Sequence, residues 1–484
     1  MDAIVVGSGP NGLAAAITLA KAGCAVRVLE AQDTIGGGAR SAALTLPGFI
    51  HDRCSAIHPL AVGSPFLRSL PLDQHGLQWV HPEVPLAHPL DGGAAVLLHR
   101  SVERTSEALG RDGRAYQSLM LPFVDRWEAV LDEFLQPFLH LPRHPWLAAR
   151  FGLRALLSAT SLAGKCFRGE KARALFAGMA AHSFLPLEAP ASAAFGLMLG
   201  MLGHSVGWPL PRGGAQRISD ALAAHLRKLG GTIETGREVS ALASLPEADA
   251  VLLDLTTWQA ARIAGTCVPP RLTDKLAAFP HGPSVFKIDY ALDRAIPWTA
   301  VECGQAATVH LGGTFEEIAQ AEREVARGVV ASRPFVLLAQ PTLFDPSRAP
   351  TGGHIAWAYC HVPRGSASPA RTASLAQTSA EITEAIEAQI ERFAPGFRRS
   401  IIARAISQPH DLQASNANLD GGDISGGASD LWHLLARPFL SSRPYRLGRT
   451  QYYLCSSSTP PGGGVHGMCG YHAARCALSS KVRK

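Results

Sequence analysis

The sequence predicts an α/β fold, in which a parallel-sheet domain is interrupted by an α+β insertion and a helical cap. Three observations predict it. Residues 3–30 pass from apolar run to glycine turn, small-residue helix and second apolar run. Residues 111–204 are rich in Leu, Ala and Phe at helical spacing. Residues 271–439 mix alternating strands with amphipathic helices, and a second glycine loop follows at 462–467.

Ala3 to Val6 is a short apolar run, as a strand buried on both faces would be. Gly7, Gly9 and Gly12 then spell G-x-G-x-x-G. The first glycine permits the turn, the second lets backbone approach a pyrophosphate, and the third lets helix and strand pack closely. The helix N-terminus adds free N–H groups and the positive end of its dipole. Ala25 to Leu29 is the next strand, ending on Glu30. That acid stands where the fingerprint wants a carboxylate for a ribose hydroxyl, and it disfavours a 2′-phosphate by charge repulsion. Residues 1–30 therefore predict a Rossmann-like dinucleotide site.

At 484 residues the chain is too long for one compact core. With 47% apolar and 17% charged residues it has much to bury. The net charge of +6 is spread out, apart from Lys481, Arg483 and Lys484. Nucleic-acid binding has no support. Nine cysteines lie scattered without C-x-x-C or metal-like spacing, so reduced thiols, no metal and a cytoplasmic location are expected. Residues 3–20 lack the basic flank of a signal peptide. The charge-free stretch 189–211 is expected as a buried helix or the lining of an apolar tunnel, since Ser192, His204, Ser205 and flanking prolines oppose a membrane span.

Behind Glu30, three glycines (36–38) and Arg40 form a second backbone-exposing loop with a cation placed for phosphate. Glu30, Gly36, Gly37 and Arg40 behind the glycine fingerprint resemble the FAD-binding entry of the flavoprotein group that holds amine oxidases and phytoene desaturases. His51 and His58 follow in a loop-rich segment, where a structural role is favoured over a catalytic one. Strands are expected at 94–98, 230–239, 250–255, 285–292, 335–339 and 354–360, and helices at 101–109, 316–327 and 376–393. The stripe of Phe123, Trp127, Val130, Leu131, Phe134, Leu135 and Phe138 fits a core and a channel lining equally well. The expected domains are a discontinuous cofactor domain (1–110, 205–270 and 440–484), a helical cap (111–204) and an α+β substrate domain (271–439).

Residues 451–455 read as a last strand, and Gly462, Gly464 and Gly467 follow it. Too little chain remains for a second nucleotide fold, so this loop is expected to open a helix aimed at the cofactor ring, and NAD(P)H is not expected as hydride donor. "YYLCSSSTPPGGGVHGMCGYHAARCAL" together with "IVVGSGPNGLAAAITLAKAG" looks like the phytoene desaturase type of FAD-dependent oxidoreductase. The resemblance implies that Gly7, Gly9, Pro10, Asn11, Gly12, Glu30, Gly36, Gly37, Arg40 and Val239 hold FAD. It further implies that Gly463, Gly464, Val465 and Met468 lie against the ring. His466 is the candidate proton-handling residue, with packing of the loop as the alternative. The implied activity is desaturation of an apolar polyprenoid or carotenoid-like substrate. Isomerase or saturase chemistry and amine oxidation are alternatives on the same fold, although no flavin-side lysine or aromatic cage stands out. A non-catalytic prenyl carrier of the GDP-dissociation-inhibitor type is the alternative outside enzymes. A peripheral membrane contact and the oligomeric state are left open. Residues 1–40 and 455–475 are expected to meet in space.

Overall fold

The computed structural model describes residues 1–364 and 372–481. Two sheets organise it. The first has five strands, all parallel, in the order Tyr452–Leu454, Ala250–Leu253, Asp2–Val6, Ala25–Leu29, Thr232–Glu234. Its central strand is buried from Ala3 to Val6, which is why that run is continuously apolar. The first and last segments of the chain meet here. The helix Pro10–Lys21 packs against the C-terminal helix Met468–Lys481, and a Cβ on Gly470 would fall 1.8 Å from the Asn11 carbonyl oxygen. Only glycine allows that approach.

The strand expected over 230–239 is shorter, Thr232–Glu234. Gly236 then turns the chain, and the Arg237 N–H donates to the Glu30 carbonyl (2.8 Å), so Val239 sits in a loop beyond the strand's end.

The second sheet has seven strands: Ile401–Ser407, Ser284–Leu292, His354–Val362, Val336–Ala339, Ala306–Leu311, Val84–Leu90 and Ala94–Leu98. The last two belong, by sequence, to the span 1–110 expected in the cofactor domain. They pair instead with the substrate sheet, Val84–Leu90 running parallel to Ala306–Leu311. The reason is burial: every residue of Val84–Leu90 is covered, and a strand buried along its length needs a partner on each side to take its backbone groups. One face of this sheet packs on the helix Thr372–Phe393 through Ile382, Ile386, Ile390 and Phe393. The other faces a cavity.

Six helices from Gly113–Val124 to Ser192–Ser205 close over that cavity as a cap. The aromatic stripe divides between two tasks. Phe123, Val130 and Leu131 are core, with Phe123 edge-on to Phe151 (5.0 Å), whereas Phe134, Leu135 and Phe138 line the cavity. The apolar helix Ser192–Ser205 turns Ala194, Phe195, Met198 and Leu199 to the same space. Among the described residues no helix is long and apolar enough to cross a membrane, and no group of residues has the arrangement of a metal site. All nine cysteines are free thiols. Of the basic tail, Arg483 and Lys484 lie outside the described residues.

Candidate active site and cofactor cradle

One cavity of ≈ 940 Å³ runs from the glycine turn of the first sheet to the inner face of the second. At one end it is lined by Gly7, Gly9, Pro10, Asn11, Glu30, Gly37, Arg40 and Val239, and further along by Gly463, Gly464 and Val465. These are eleven of the fourteen residues expected to touch the cofactor. Gly12, Gly36 and Met468 do not line it. Gly12 packs helix on strand: a Cβ there would stand 2.2 Å from the Gly7 carbonyl oxygen. Gly36 holds its own loop under the turn, its N–H donating to the Ser8 carbonyl (3.1 Å). Met468 is buried in the core at the start of the last helix.

The cradle is built as a fit for a dinucleotide. A Cβ on Gly37 would meet Gly9 Cα at 3.0 Å, so the two glycine loops touch and expose only backbone to the cavity. Glu30 is fixed from behind: one carboxylate oxygen accepts from Ser8 N–H (2.9 Å) and the Ser8 hydroxyl (2.5 Å), the other from Gln32 N–H (2.9 Å). The oxygen that accepts from Gln32 keeps a lone pair for a ribose hydroxyl. Arg40 is braced by donating to the carbonyls of Gly37 (2.9 Å) and Ser415 (2.6 Å), and burial lowers its pKa.

Asp254 is a site residue the sequence reading passed over. It follows the strand Ala250–Leu253 as Glu30 follows Ala25–Leu29, so the same strand-then-acid pattern marks it. Its carboxylate accepts from Gly12 N–H (2.9 Å) beneath the glycine turn, and burial, with Glu30 adding repulsion, raises its pKa to about 7. Arg437 is another. Fully buried, it donates to the carbonyls of Ser425 (2.8 Å), Ala428 (2.9 Å) and Ser457 (2.8 Å), tying the C-terminal loop to the preceding segment.

His466 does not line the cavity. It is 1% exposed, its Nδ1 accepts from Met468 N–H (3.0 Å) at the first turn of the last helix, and burial lowers its pKa to about 4. Nδ1 thus serves an orphan helix N–H, as packing of the loop requires, and Nε2 is buried without a partner. His51 is buried with Nε2 against the Thr45 hydroxyl (2.8 Å), its pKa lowered to about 3 by burial. His58 lines the cavity, and both ring nitrogens are buried without hydrogen-bond partners.

Beyond the cradle the wall is apolar and aromatic, with Phe134, Phe151, Phe184, Phe195, Trp208 and Leu337. Trp357 and Tyr359 stand there edge to face (5.1 Å), two residues apart on one strand face. Behind them lies a buried lysine: Lys287 is ion-paired with Asp289, and its Nζ sits 5.8 Å from the Trp357 ring centroid. An aromatic pair and a buried lysine are thus present after all. Sequence alone hid them, because the pairing of Trp357 with Asp289 is a cross-strand register. Burial raises Asp289 to about 6 despite Lys287.

Residues 5–68 match the NAD(P)-binding Rossmann-like domain family. Over its length the chain is 26% identical to the rat pyridine nucleotide-disulfide oxidoreductase domain-containing protein 2, covering 98% of this chain and 92% of the relative. It is 25% identical to a phytoene dehydrogenase of Streptomyces griseus, covering 96% of this chain and 92% of that protein. A solved putrescine oxidase, redesigned in its cofactor binding, superposes with a TM-score of 0.62 at 17% identity, covering 100% of this chain and 99% of that one. The fold is that of the FAD-dependent oxidoreductases. The cofactor that this oxidoreductase fold and its cradle fit is FAD.

Proposed function

We propose that the protein is an FAD-dependent oxidoreductase that takes hydride from a carbon of a long apolar substrate, in the manner of a desaturase. The observation that carries this reading is the single cavity joining a dinucleotide cradle to an aromatic and aliphatic wall. When bound, FAD supplies the hydride acceptor. Gly7, Gly9, Gly37 and Arg40 receive its phosphates, Glu30 its ribose, and Gly463 to Val465 its ring. The chain's own contribution is orientation and exclusion of water, which an apolar wall does well. Relatives named for phytoene and for 4,4′-diapolycopen-4-al dehydrogenation support the substrate class.

Anaerobic addition of a polyprenoid is expected to bleach the visible flavin band, with product lighter by two hydrogens on mass analysis. NADH or NADPH alone is expected to leave the band unchanged. A colourless preparation that takes up no FAD would favour the prenyl-carrier reading instead. Amine oxidation is the second reading because Trp357 and Tyr359 stand at the wall with the buried Lys287 beside Trp357. Bleaching by putrescine and not by polyprenoids would select it.

The mouth of the cavity supports delivery from a membrane surface. Leu141 (92% exposed), Trp146 (89%) and Leu153 (71%) project to solvent, and the neighbouring Phe138 and Leu156 are both exposed and part of the cavity lining. Exposed Arg143 and Arg150 lie among them, a charge pattern that suits anionic lipid. Replacing Trp146 and Leu153 together by Asp is expected to weaken flotation with phosphatidylglycerol vesicles by about ten-fold or more, given ~1.5–3 kcal/mol for each large apolar side chain buried. Flavin content should not change. Undiminished flotation would remove this surface from the reading.

A further inference from the structure

Among the polar groups along the largely apolar cavity is a histidine whose tautomer the surrounding packing decides. His182 caps the helix Glu170–Ala181 and lines the cavity among Phe184, Leu199, Trp208 and Leu337. Its Nε2 lies 3.0 Å from Nε2 of His310, a residue of the substrate sheet that does not itself line the cavity. Two imidazole nitrogens at that distance share one proton, so one ring donates and the other accepts.

Both rings are neutral. Burial lowers His182 to about 3, with His361 adding to the effect, and burial lowers His310 well below the ordinary histidine range. Which ring donates follows from the far side of His310. Its Nδ1 is buried without a partner and faces Gly178, where a Cβ would stand 2.6 Å away. Were the His310 proton on Nδ1, an N–H would be sealed in apolar packing with no acceptor. With the proton on Nε2 only a bare lone pair is left there, and orphaned buried N–H groups are the rarer and more unfavourable of the two. His310 therefore donates to His182 Nε2, and the single proton of His182 is left on Nδ1. His182 itself lines the cavity, and among the described residues the Nε2 contact to His310 is the only hydrogen bond its side chain makes.

We propose that His182 is a specificity residue, its Nδ1–H donating to a carbonyl, ether or hydroxyl oxygen on an otherwise apolar substrate, with His310 as the positioning residue that fixes its tautomer. The proposal rests on the reading that this cavity holds the substrate. A donor isolated in an apolar wall discriminates strongly, because a ligand without the matching acceptor leaves it unpaired. The substrate class narrows accordingly, from hydrocarbons to oxygen-bearing terpenoid or fatty molecules.

The test uses the flavin-loaded protein and three volatile probes of equal length: octane, octan-2-ol and octan-2-one. Binding is read from their partition between vapour and protein solution. His182→Phe is expected to weaken octan-2-one by about three- to ten-fold, as loss of one hydrogen bond implies, and to leave octane unweakened or bound more tightly, since no donor is then left unpaired. His182→Asn, whose amide still donates, should recover most of the ketone affinity. In the wild-type protein, the carbonyl stretch of bound octan-2-one should lie below its position in hexane, a readout that needs no variant. Equal weakening of octane and ketone in His182→Phe, or an unshifted carbonyl stretch, overturns the donor assignment and leaves the cavity reading intact. Failure of all three probes to bind the wild-type protein overturns the cavity reading itself, and the proposal with it.

Discussion

Gly9→Val is expected to purify without colour. A Cβ at this position would stand 2.5 Å from Asp254 Oδ2, and Gly37 already presses on Gly9 from the opposite loop. The two branches of valine have nowhere to go but the space where backbone meets a pyrophosphate. Overpacking of this kind costs about 1–3 kcal/mol in a core. Here the cost falls on the bound state as well, so FAD affinity should drop at least about ten-fold. The measurement is the ratio of flavin to protein after gel filtration, with circular dichroism and a thermal melt to confirm folding. A folded Gly9→Val that keeps its full flavin would refute the placement of the phosphates at Gly7, Gly9 and Gly37.

The second large effect concerns Asp254 and pH. Its pKa is raised from 3.8 to about 7 in the folded protein, chiefly by burial. Between those values the folded state keeps a proton that the unfolded state has released, so stability falls as pH rises from about 4 to about 7 and is level above. The contribution is on the order of 4 kcal/mol. Asp254→Asn keeps a neutral group of the same shape and should remove this share of the pH dependence, making the variant more stable than the wild type at pH 8 and little different near pH 4. Denaturant midpoints at the two pH values test it. FAD retention should follow the same course, since ionised Asp254 would face the pyrophosphate across the glycine turn. If wild type and variant keep a constant difference in midpoint across the range, Asp254 is not titrating in the folded state.

Much of the cofactor end was legible in the sequence because its signals are local. A strand, three glycines at fixed spacing, a helix and a terminal acid lie within 30 residues, and each needs only its neighbours to be recognised. Glu30 and Arg40 could be placed from that frame, and both line the cavity. What escaped depends on distant partners. Ala94–Leu98 reads as a strand and Val84–Leu90, with Pro85 and Pro89, does not, while the sheet they join is set by pairing of Val84–Leu90 with Ala306–Leu311, more than two hundred residues on. Lys287 and Trp357 adjoin only through the register of two antiparallel strands. His466 shows the same divide: its place in a glycine loop is visible in sequence, whereas its hydrogen bond to the Met468 N–H is not. Asp254 was within reach, since it repeats the acid-after-strand pattern of Glu30.

The packing of Gly470 against Asn11 sets an order of events during synthesis. The first βαβ unit leaves the ribosome early, yet the loop at 462–467 and the strand Tyr452–Leu454 follow roughly four hundred residues later. At about 5–20 residues per second, the nascent glycine turn waits tens of seconds for its other half. Through that interval the helix Pro10–Lys21 lacks the helix that packs on it, and Ala14, which adjoins Gly467 in the folded protein, is uncovered. The cofactor cradle is therefore complete only once residues 462–467 have been made and have docked on the first βαβ unit.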